Sequence, residues 1–296
     1  MGLPIIDTPA QKAGNAASHQ MPGTGVPHEE EARLAQQNLA QVARKIGVLS
    51  GKGGVGKTFL TVNIALALAA SGKRVGLLDA DIDCPNVARF LDLREQPLLG
   101  TPEGRITPLE HAGLKIVSTH FLTDDARAPM IVRGPIKHKV LAELLTNVEW
   151  GALDALLLDL PPGTADVPMS AMLLTGLDGV IIVTTPSKES YLDARKSALM
   201  ARELKVPILG IVENMTGDVF GRGAARDLAR ELGVPHLGEI PLSREIRELS
   251  QGGRAALAEL PALAPVTRAL MAATLGASAG DLTLTRRSFW SRLMAR

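Results

Sequence analysis

The stretch Gly51-Lys52-Gly53-Gly54-Val55-Gly56-Lys57-Thr58 follows the apolar run 46–49 and decides the fold. It fits the pattern G-x-x-x-x-G-K-[ST], and a helical pattern of apolar residues, 59–70, comes directly after it. Glycines in such a loop let backbone N–H groups turn towards a phosphate, and the N-terminus of the next helix adds its dipole. The stretch therefore predicts a phosphate-binding loop between a buried strand and a helix.

Short apolar runs alternate with helical patterns along the rest of the chain. The runs are 46–49, 75–78, 114–117, 155–158, 179–184, 208–212 and 236–240. Runs that are apolar throughout predict strands buried on both faces, and their alternation with helices predicts parallel pairing. We therefore expect a doubly wound α/β domain over 45–276, with a mostly parallel sheet and helices on both faces. A disordered arm, 1–28, and a lead-in helix, 29–44, are predicted before it, and a tail, 277–296, after it.

Composition and charge exclude several classes of protein. The 296 residues carry a net charge of +1, so no global field recruits nucleic acid, and no nucleic-acid partner is expected. A single cysteine excludes an internal disulfide, and one chain alone cannot hold a zinc ion or an iron–sulfur cluster with it. No apolar run approaches the roughly 18 residues of a membrane span, and no signal-peptide pattern is present. These features predict a cytoplasmic protein.

The phosphate-binding loop carries two side chains with chemistry of their own. Lys57 is expected to neutralise the oxygens of the β- and γ-phosphates, and the Thr58 hydroxyl to ligate Mg²⁺. The backbone of the remaining loop positions is expected to line the nucleotide: Gly51, Gly53, Gly54, Val55 and Gly56. The loop therefore predicts a site for ATP and Mg²⁺.

Acidic residues follow two of the predicted strands, where the carboxyl ends of parallel strands face the ligand crevice. Asp159 is predicted to hold the Mg²⁺ shell through water, in the role of a Walker-B aspartate. Asp81 is the candidate for positioning or deprotonating the attacking water, with Asp79 supporting it or the metal. Gly163 is expected to leave its N–H free to approach the γ-phosphate. The competing interpretation of Asp79 and Asp81 is that they are solvated carboxylates at strand ends.

Lys52 is a second lysine, at the start of the loop, and points away from its own phosphates in most loop geometries. A lysine here resembles the signature lysine of the deviant Walker-A ATPases, the class that includes MinD and ParA. In that class two protomers sandwich two ATP molecules, and each inserts this lysine into the other's site. The resemblance implies an ATP-dependent homodimer in which Lys52 is catalytic. The alternative is a surface lysine that only adds positive potential.

Longer stretches resemble the Mrp-type (ApbC-like) iron–sulfur cluster carrier ATPases across most of residues 45–254. Among them are VLSGKGGVGKT (48–58), GLLDADIDCPNVARFL (76–91), VEWGALDALLLDLPPGTADV (148–167), VPILGIVENM (206–215) and FGRGAARDLARELGVPHLGEIPL (220–242). The resemblance implies a slow, partner-stimulated ATPase in iron–sulfur cluster assembly or transfer, with assembly or recipient proteins as partners. It also implies that Asn214 reads the adenine, a role an amide can fill through its donor and acceptor.

The chain departs from that family at two places. The C-x-x-C pair that usually follows the ENM segment is absent, and 216–220 reads TGDVF. A dimer would own two thiolates, one Cys84 from each copy, so a bridging [4Fe-4S] cluster of its own is doubtful. Cys84 is interpreted as a small packing residue, with a redox-sensitive thiol and an unorthodox ligand left open. Phe59 stands where the family has Ser or Thr near the α-phosphate, and its ring is expected to pack towards the core.

The end of the tail, 284–296, gathers apolar and basic side chains at helical spacing. They are Phe289, Trp290, Leu293 and Met294, with Arg286, Arg287, Arg292 and Arg296 around them. The segment resembles the membrane-targeting helices of MinD-like ATPases, which implies peripheral membrane contact. A helix docked on its own domain or on a partner is the other interpretation. A MinD/ParA-like positioning or regulatory switch is therefore the alternative function, and a metabolic kinase is disfavoured because no segment is typical of a phosphoryl acceptor site.

Overall fold

The computed structural model describes residues 29–93, 99–101, 104–122, 134–251 and 254–277. The strands in these ranges are β1 Lys45–Ser50, β2 Val75–Asp79, β3 Leu99–Gly100, β4 Ile106–Thr107, β5 Leu109–His111, β6 Leu114–Ser118, β7 Ala155–Asp159, β8 Gly179–Thr184, β9 Ile208–Thr216 and β10 His236–Pro241. The helices are α1 Glu29–Asn38, α2 Lys57–Ala70, α3 Val87–Phe90, α4 Gly134–Asn147, α5 Asp166–Thr175, α6 Lys188–Glu203, α7 Ala224–Leu232, α8 Arg244–Gln251, α9 Ala256–Glu259 and α10 Ala264–Leu275.

Eight of the strands form one sheet in the order β10-β9-β8-β1-β7-β2-β6-β5. Neighbouring strands are parallel except for the β5–β6 pair at one edge, which is antiparallel. The central strand β1 lies between β7 and β8, and the β2–β7 register places Asp79 beside Asp159. The carboxyl ends of β1, β2 and β7 therefore share one edge of the sheet, the edge where ligands bind in folds of this kind.

The inner strands are apolar throughout because their residues alternate between two hydrophobic clusters. In β7, Ala155 and Leu157 belong to the cluster that includes residues of α2, α9 and α10. Leu156 and Leu158 belong to the cluster on the other face, which includes residues of α1, α4, α5, α6 and α7. The predicted doubly wound α/β architecture is confirmed, and each of the seven runs predicted as a strand is a strand.

The lead-in helix is shorter than predicted, because α1 ends at Asn38, six residues before the predicted end. The Asn38 side-chain amide donates to the carbonyl oxygens of Leu145 and Val148, both at 2.9 Å. Val42 then pairs with Leu153 in an isolated parallel bridge. Bonds to the end of α4 and the residue after it, and a bridge to the segment before β7, thus replace the last turns of the predicted helix.

The division of the chain into arm, lead-in helix, ATPase domain and tail stays a prediction. The arm, 1–28, and the tail beyond Ala277 lie outside the described residues, and so does the basic amphipathic segment 284–296. Among the helices that the structure describes, none is both long and apolar enough to cross a membrane.

Candidate nucleotide-binding site

The predicted phosphate-binding loop connects β1 to α2 at the carboxyl edge of the sheet. Gly56 is the N-cap of α2 with φ 87°, and a Cβ there would lie 2.1 Å from the Asn214 amide nitrogen. At Gly51 a Cβ would lie 2.0 Å from the backbone of Asp193 in α6. A Cβ at Gly53 or Gly54 would meet nothing within 4 Å. Gly51 and Gly56 thus let the loop pack closely against α6 and β9. Gly53 and Gly54 leave open space, as a phosphate requires.

Lys57 is buried at the first position of α2 and faces two of the predicted carboxylates. Its Nζ lies 2.8 Å from Asp159 Oδ1 and 3.8 Å from Asp81 Oδ2. Only 7% of Lys57 is exposed, so the ammonium group is compensated by carboxylates rather than by water. The structure therefore brings together three of the residues predicted as catalytic.

Asp159 is fully buried at the end of β7, and hydroxyl groups hold both of its oxygens. Thr58 Oγ1 donates to Oδ2 at 2.6 Å, and Thr61 Oγ1 lies 2.9 Å from Oδ1. Thr61 was not among the residues predicted for the site. Its spacing from Lys57, four residues along a helix, was the available signal, because residues at i and i+4 share a face.

Asp79 is also fully buried, but it contacts the backbone of the following loop. Oδ1 accepts from the Asp81 N–H at 3.3 Å, and Oδ2 accepts from the Val87 N–H at 3.0 Å and from Ser118 Oγ at 3.1 Å. Burial raises the pKa of Asp79 from its ordinary 3.8 to about 7, and the charge of Asp159 acts in the same direction. These contacts favour support of the 80–87 loop over the predicted role as a metal ligand, because two of the three partners are backbone N–H groups of that loop.

Asp81 lies on that loop and is 9% exposed, so it is not a solvated carboxylate. Burial raises its pKa, while the ammonium group of Lys57 opposes the rise. Its Oδ1 accepts from the Cys84 N–H at 3.3 Å. Asp83, two residues on, is exposed and pairs with Lys137, so Asp81 is the carboxylate of this loop that faces the site.

Gly163 differs from the prediction. It follows β7 with φ 87°, and its N–H donates to the Ser50 carbonyl oxygen at 2.8 Å instead of being free. The turn after β7 brings this amide back against the end of β1. A contact from this amide to a γ-phosphate would require that bond to break.

Asn214 and Lys52 each contact a neighbouring element. The Asn214 amide donates to the Val55 carbonyl oxygen at 2.9 Å, so its side chain supports the loop, and its adenine-reading role stays a prediction. Lys52 Nζ lies 3.4 Å from Ser187 Oγ, the side chain that caps α6. Lys52 is half-buried, and among the described residues the carboxylates of Asp81 and Asp159 pair with Lys57 and not with Lys52.

Phe59 and Cys84 are the two residues connected with the departures of this chain from the family. Phe59 is 8% exposed and belongs to the core, as expected. Cys84 is exposed on the loop between β2 and α3, so its interpretation as a packing residue is wrong.

The donor set fits a nucleotide with Mg²⁺ but not a resident iron–sulfur cluster. Mg²⁺ prefers hard oxygen ligands and is held in proteins by one or two carboxylates together with phosphates and water. The Thr58 hydroxyl and the Asp159 carboxylate are such ligands, and Thr58 ends the loop that contains the open positions Gly53 and Gly54. No group of three or more His, Cys, Asp or Glu suited to a metal occurs among the described residues. One cysteine in the whole sequence falls short of the thiolates that a cluster needs.

Comparison with known proteins gives consistent results. A family model described as "ParA: NUBPL iron-transfer P-loop NTPase" matches residues 41–274. The chain is 44% identical over 237 residues to an iron-sulfur cluster carrier protein of Methanocaldococcus jannaschii, covering 76% of this chain and 81% of that protein. A nucleotide-binding protein from Archaeoglobus fulgidus, solved with ADP, superposes with a TM-score of 0.66 at 33% identity, covering 76% of this chain and 92% of the other. The cell division ATPase MinD of Pyrococcus furiosus superposes with a TM-score of 0.60 at 26% identity, covering 78% and 98%.

Proposed function

Because this chain belongs to the NUBPL iron-transfer family of P-loop NTPases, we propose that it is a Mg²⁺-dependent, homodimeric ATPase that acts in iron–sulfur cluster assembly or transfer. The observation that carries the nucleotide chemistry is the contact of Lys57 and Thr58 with the buried Asp159, at the end of a glycine loop that is open at Gly53 and Gly54. The named relatives favour the iron–sulfur role over a MinD/ParA-like switch. The tail that suggested the switch lies outside the described residues.

The catalytic proposal assigns one task to each side chain. Lys57 turns from Asp159 towards the β- and γ-phosphates, which replace the carboxylate as its anionic partner. Thr58 and Asp159 hold Mg²⁺, which when bound neutralises the charge that develops on the phosphates. Asp81 lies 3.8 Å from the Lys57 ammonium and orients the attacking water by accepting a hydrogen bond from it. Asp79 holds the loop that carries Asp81.

Lys52 is proposed to act in the site of a second copy. In the single chain its ammonium group lies at the N-terminus of α6, away from the buried carboxylates of its own site. A cation supplied by a partner subunit stabilises charge on the phosphates only when two loaded copies meet. Dimerisation and hydrolysis would then depend on the same residue.

The iron–sulfur cluster is proposed as cargo that this chain does not hold alone. The chain has one cysteine, so a dimer supplies two thiolates. A four-iron cluster takes four thiolate ligands, so the others have to come from an assembly or recipient protein. Hydrolysis would then control the association with that protein.

The test of the nucleotide chemistry uses the full chain and three variants. The wild type is expected to release phosphate from ATP with Mg²⁺ but not with EDTA. Lys57→Ala should abolish nucleotide binding, Lys52→Ala should bind but neither dimerise nor hydrolyse, and Asp81→Asn should bind but hydrolyse slowly. A wild-type rate for Lys52→Ala, with a monomer at saturating ATP, would contradict the role in trans.

The test of the cargo role is an anaerobic transfer assay. A protein loaded with a [4Fe-4S] cluster donates to an apo recipient, with and without this chain and ATP. Faster transfer with the wild type, and not with Lys57→Ala, supports the proposal. Equal rates with and without the chain would contradict the iron–sulfur role and leave the ATPase proposal intact.

A further inference from the structure

The Thr61 hydroxyl contacts the Asp159 carboxylate, and this contact is needed neither for the formation of the helix nor for the packing of the core. Thr61 lies one turn after Lys57 in α2 and is fully buried. Its Oγ1 lies 2.9 Å from the Lys57 carbonyl oxygen and 2.9 Å from Asp159 Oδ1. A hydroxyl has one hydrogen to donate, and an ionised carboxylate is the stronger acceptor of the two. The geometry therefore favours a bond from Thr61 to Asp159.

The two oxygens of Asp159 have different partners. Oδ2 accepts from Thr58, the residue that shares the proposed metal with it. Oδ1 faces the Lys57 ammonium at 2.8 Å and the Thr61 hydroxyl. With Oδ1 held towards α2, the orientation of the carboxylate plane is defined and Oδ2 is directed at Thr58.

The arrangement has to change when a nucleotide binds. Lys57 then turns to the phosphates, so Oδ1 loses its ionic partner. Thr61 cannot leave in the same way, because its short side chain is buried within α2. Among the described residues, it is then the one remaining side chain that bonds to Oδ1. Without it the carboxylate could rotate away from Thr58.

We propose that Thr61 is a positioning residue that holds the Asp159 carboxylate in place for Mg²⁺ while the nucleotide occupies Lys57. The proposal rests on the proposed function, since it presumes a Mg²⁺-nucleotide site. Thr61 touches neither nucleotide nor metal in this role. It acts through Asp159, and its loss should affect the metal-dependent part of binding alone.

The experiment measures the dissociation constant of ADP by calorimetry, with Mg²⁺ and with EDTA. Thr61→Val removes the hydroxyl at nearly constant shape, and Thr61→Ser retains it. The matched control is Thr274→Val, because Thr274 is also fully buried in a helix and donates to the carbonyl four residues earlier, at 2.8 Å. Among the described residues its hydroxyl bonds to no carboxylate, so this control isolates the cost of losing a buried hydroxyl.

Thr61→Val is expected to lose about tenfold of the affinity that Mg²⁺ adds, the loss typical of one hydrogen bond to a charged group. Its affinity in EDTA should stay within about twofold of wild type, as expected when one protein–carboxylate bond outside the nucleotide contacts is removed. Thr61→Ser and Thr274→Val should retain the full Mg²⁺ effect. Thr61→Ala provides the same comparison if the valine variant does not fold.

Two results would overturn the inference. One is a wild-type Mg²⁺ effect in Thr61→Val, and the other is an equal loss of affinity with and without Mg²⁺, which indicates general damage to the site. If the ADP affinity of the wild type does not depend on Mg²⁺, the proposed function itself is contradicted. Failure of the proposed function can therefore be distinguished from failure of the inference about Thr61.

Discussion

Asp159 and Asp79 are neighbours in register at the ends of β7 and β2, and both are fully buried. They differ in what they contact. Asp159 faces three side chains of α2, the first of which is Lys57. Asp79 faces two backbone N–H groups and the hydroxyl of Ser118.

The partners of Asp159 belong to the proposed nucleotide site, whereas the partners of Asp79 hold the loop that follows β2 in place. The partners of Asp159 include an ammonium group on a long side chain, which can turn towards a phosphate. The partners of Asp79 are mostly main chain, and they move only if the loop unfolds. Under the proposed function, equivalent positions at the same edge of a sheet thus serve metal binding in one case and the support of a loop in the other. The comparison predicts that changes at Asp159 reduce activity and that changes at Asp79 reduce stability.

The largest expected effect follows substitution of the binding carboxylate. Asp159→Asn should lower Mg²⁺-dependent ATP hydrolysis by between about 100- and 1,000-fold, because an amide cannot supply the negative charge that holds the metal shell. Phosphate release at saturating ATP and Mg²⁺ measures it. A rate within threefold of wild type would place Asp159 outside the metal site.

Removal of the architectural carboxylate should have its main effect on stability. Asp79→Ala leaves two buried N–H groups without their acceptor, so the free energy of unfolding should fall by about 2 kcal/mol. The dependence of ADP affinity on Mg²⁺ should persist. Denaturant unfolding measures the first quantity and calorimetry the second. The control is Asp83→Ala, which removes an exposed carboxylate of the same loop and should cost less than about 1 kcal/mol.

The pH dependence of stability should report on Asp79. The pKa of Asp79 is about 7 in the folded chain, against an ordinary 3.8. Below about 4 both states bind the proton, and above about 7 neither does. Between these values the folded chain alone binds it, so the contribution of Asp79 to the free energy of unfolding falls as pH rises.

Melting of the nucleotide-free chain in EDTA, at pH 5 and pH 7.5, measures this dependence. The melting temperature of wild type should fall between pH 5 and pH 7.5. Asp79→Asn mimics the neutral carboxyl, so its melting temperature should fall by a smaller amount, and the two decreases should differ by at least about 2 °C. Parallel profiles for wild type and Asp79→Asn would show that another group titrates.

The smallest expected effect concerns the hydroxyl that donates to Asp79. Ser118→Ala removes one bond of 3.1 Å, so the free energy of unfolding should fall by about 1 kcal/mol with no change in ADP affinity. A loss of Mg²⁺-dependent affinity in this variant would show that Asp79 also serves the metal. That result would remove the contrast between the two carboxylates.

Much of the site was predictable because its signals are local. The loop 51–58, its lysine and its threonine are contiguous in the chain, and their chemistry follows from spacing alone. Asp159 and Asp81 were found because they follow apolar runs, and the structure brings both to Lys57. The resemblance to the Mrp-type carriers is confirmed by the family that the chain matches.

The remaining features depend on contacts between distant segments. The Gly163 N–H donates to Ser50, more than a hundred residues earlier. The Asn38 amide ends α1 by bonding to α4, which the polar pattern of 29–44 does not reveal. Cys84 is exposed on the loop between β2 and α3, where the sequence suggested a packing residue. None of these partners can be assigned from residue spacing.

The sequence by itself determined seven of the ten strands that the structure describes, the phosphate-binding loop and the family, because apolar runs and glycine spacing act over a few residues; the short strands β3, β4 and β5 were not predicted. Only the tertiary structure decided which carboxylate faces Lys57, which one holds a loop, and that Thr61 joins the site. Those roles depend on which side chains meet at the common edge of β1, β2 and β7. That meeting is produced by strand order and register, which bring together residues far apart in the chain.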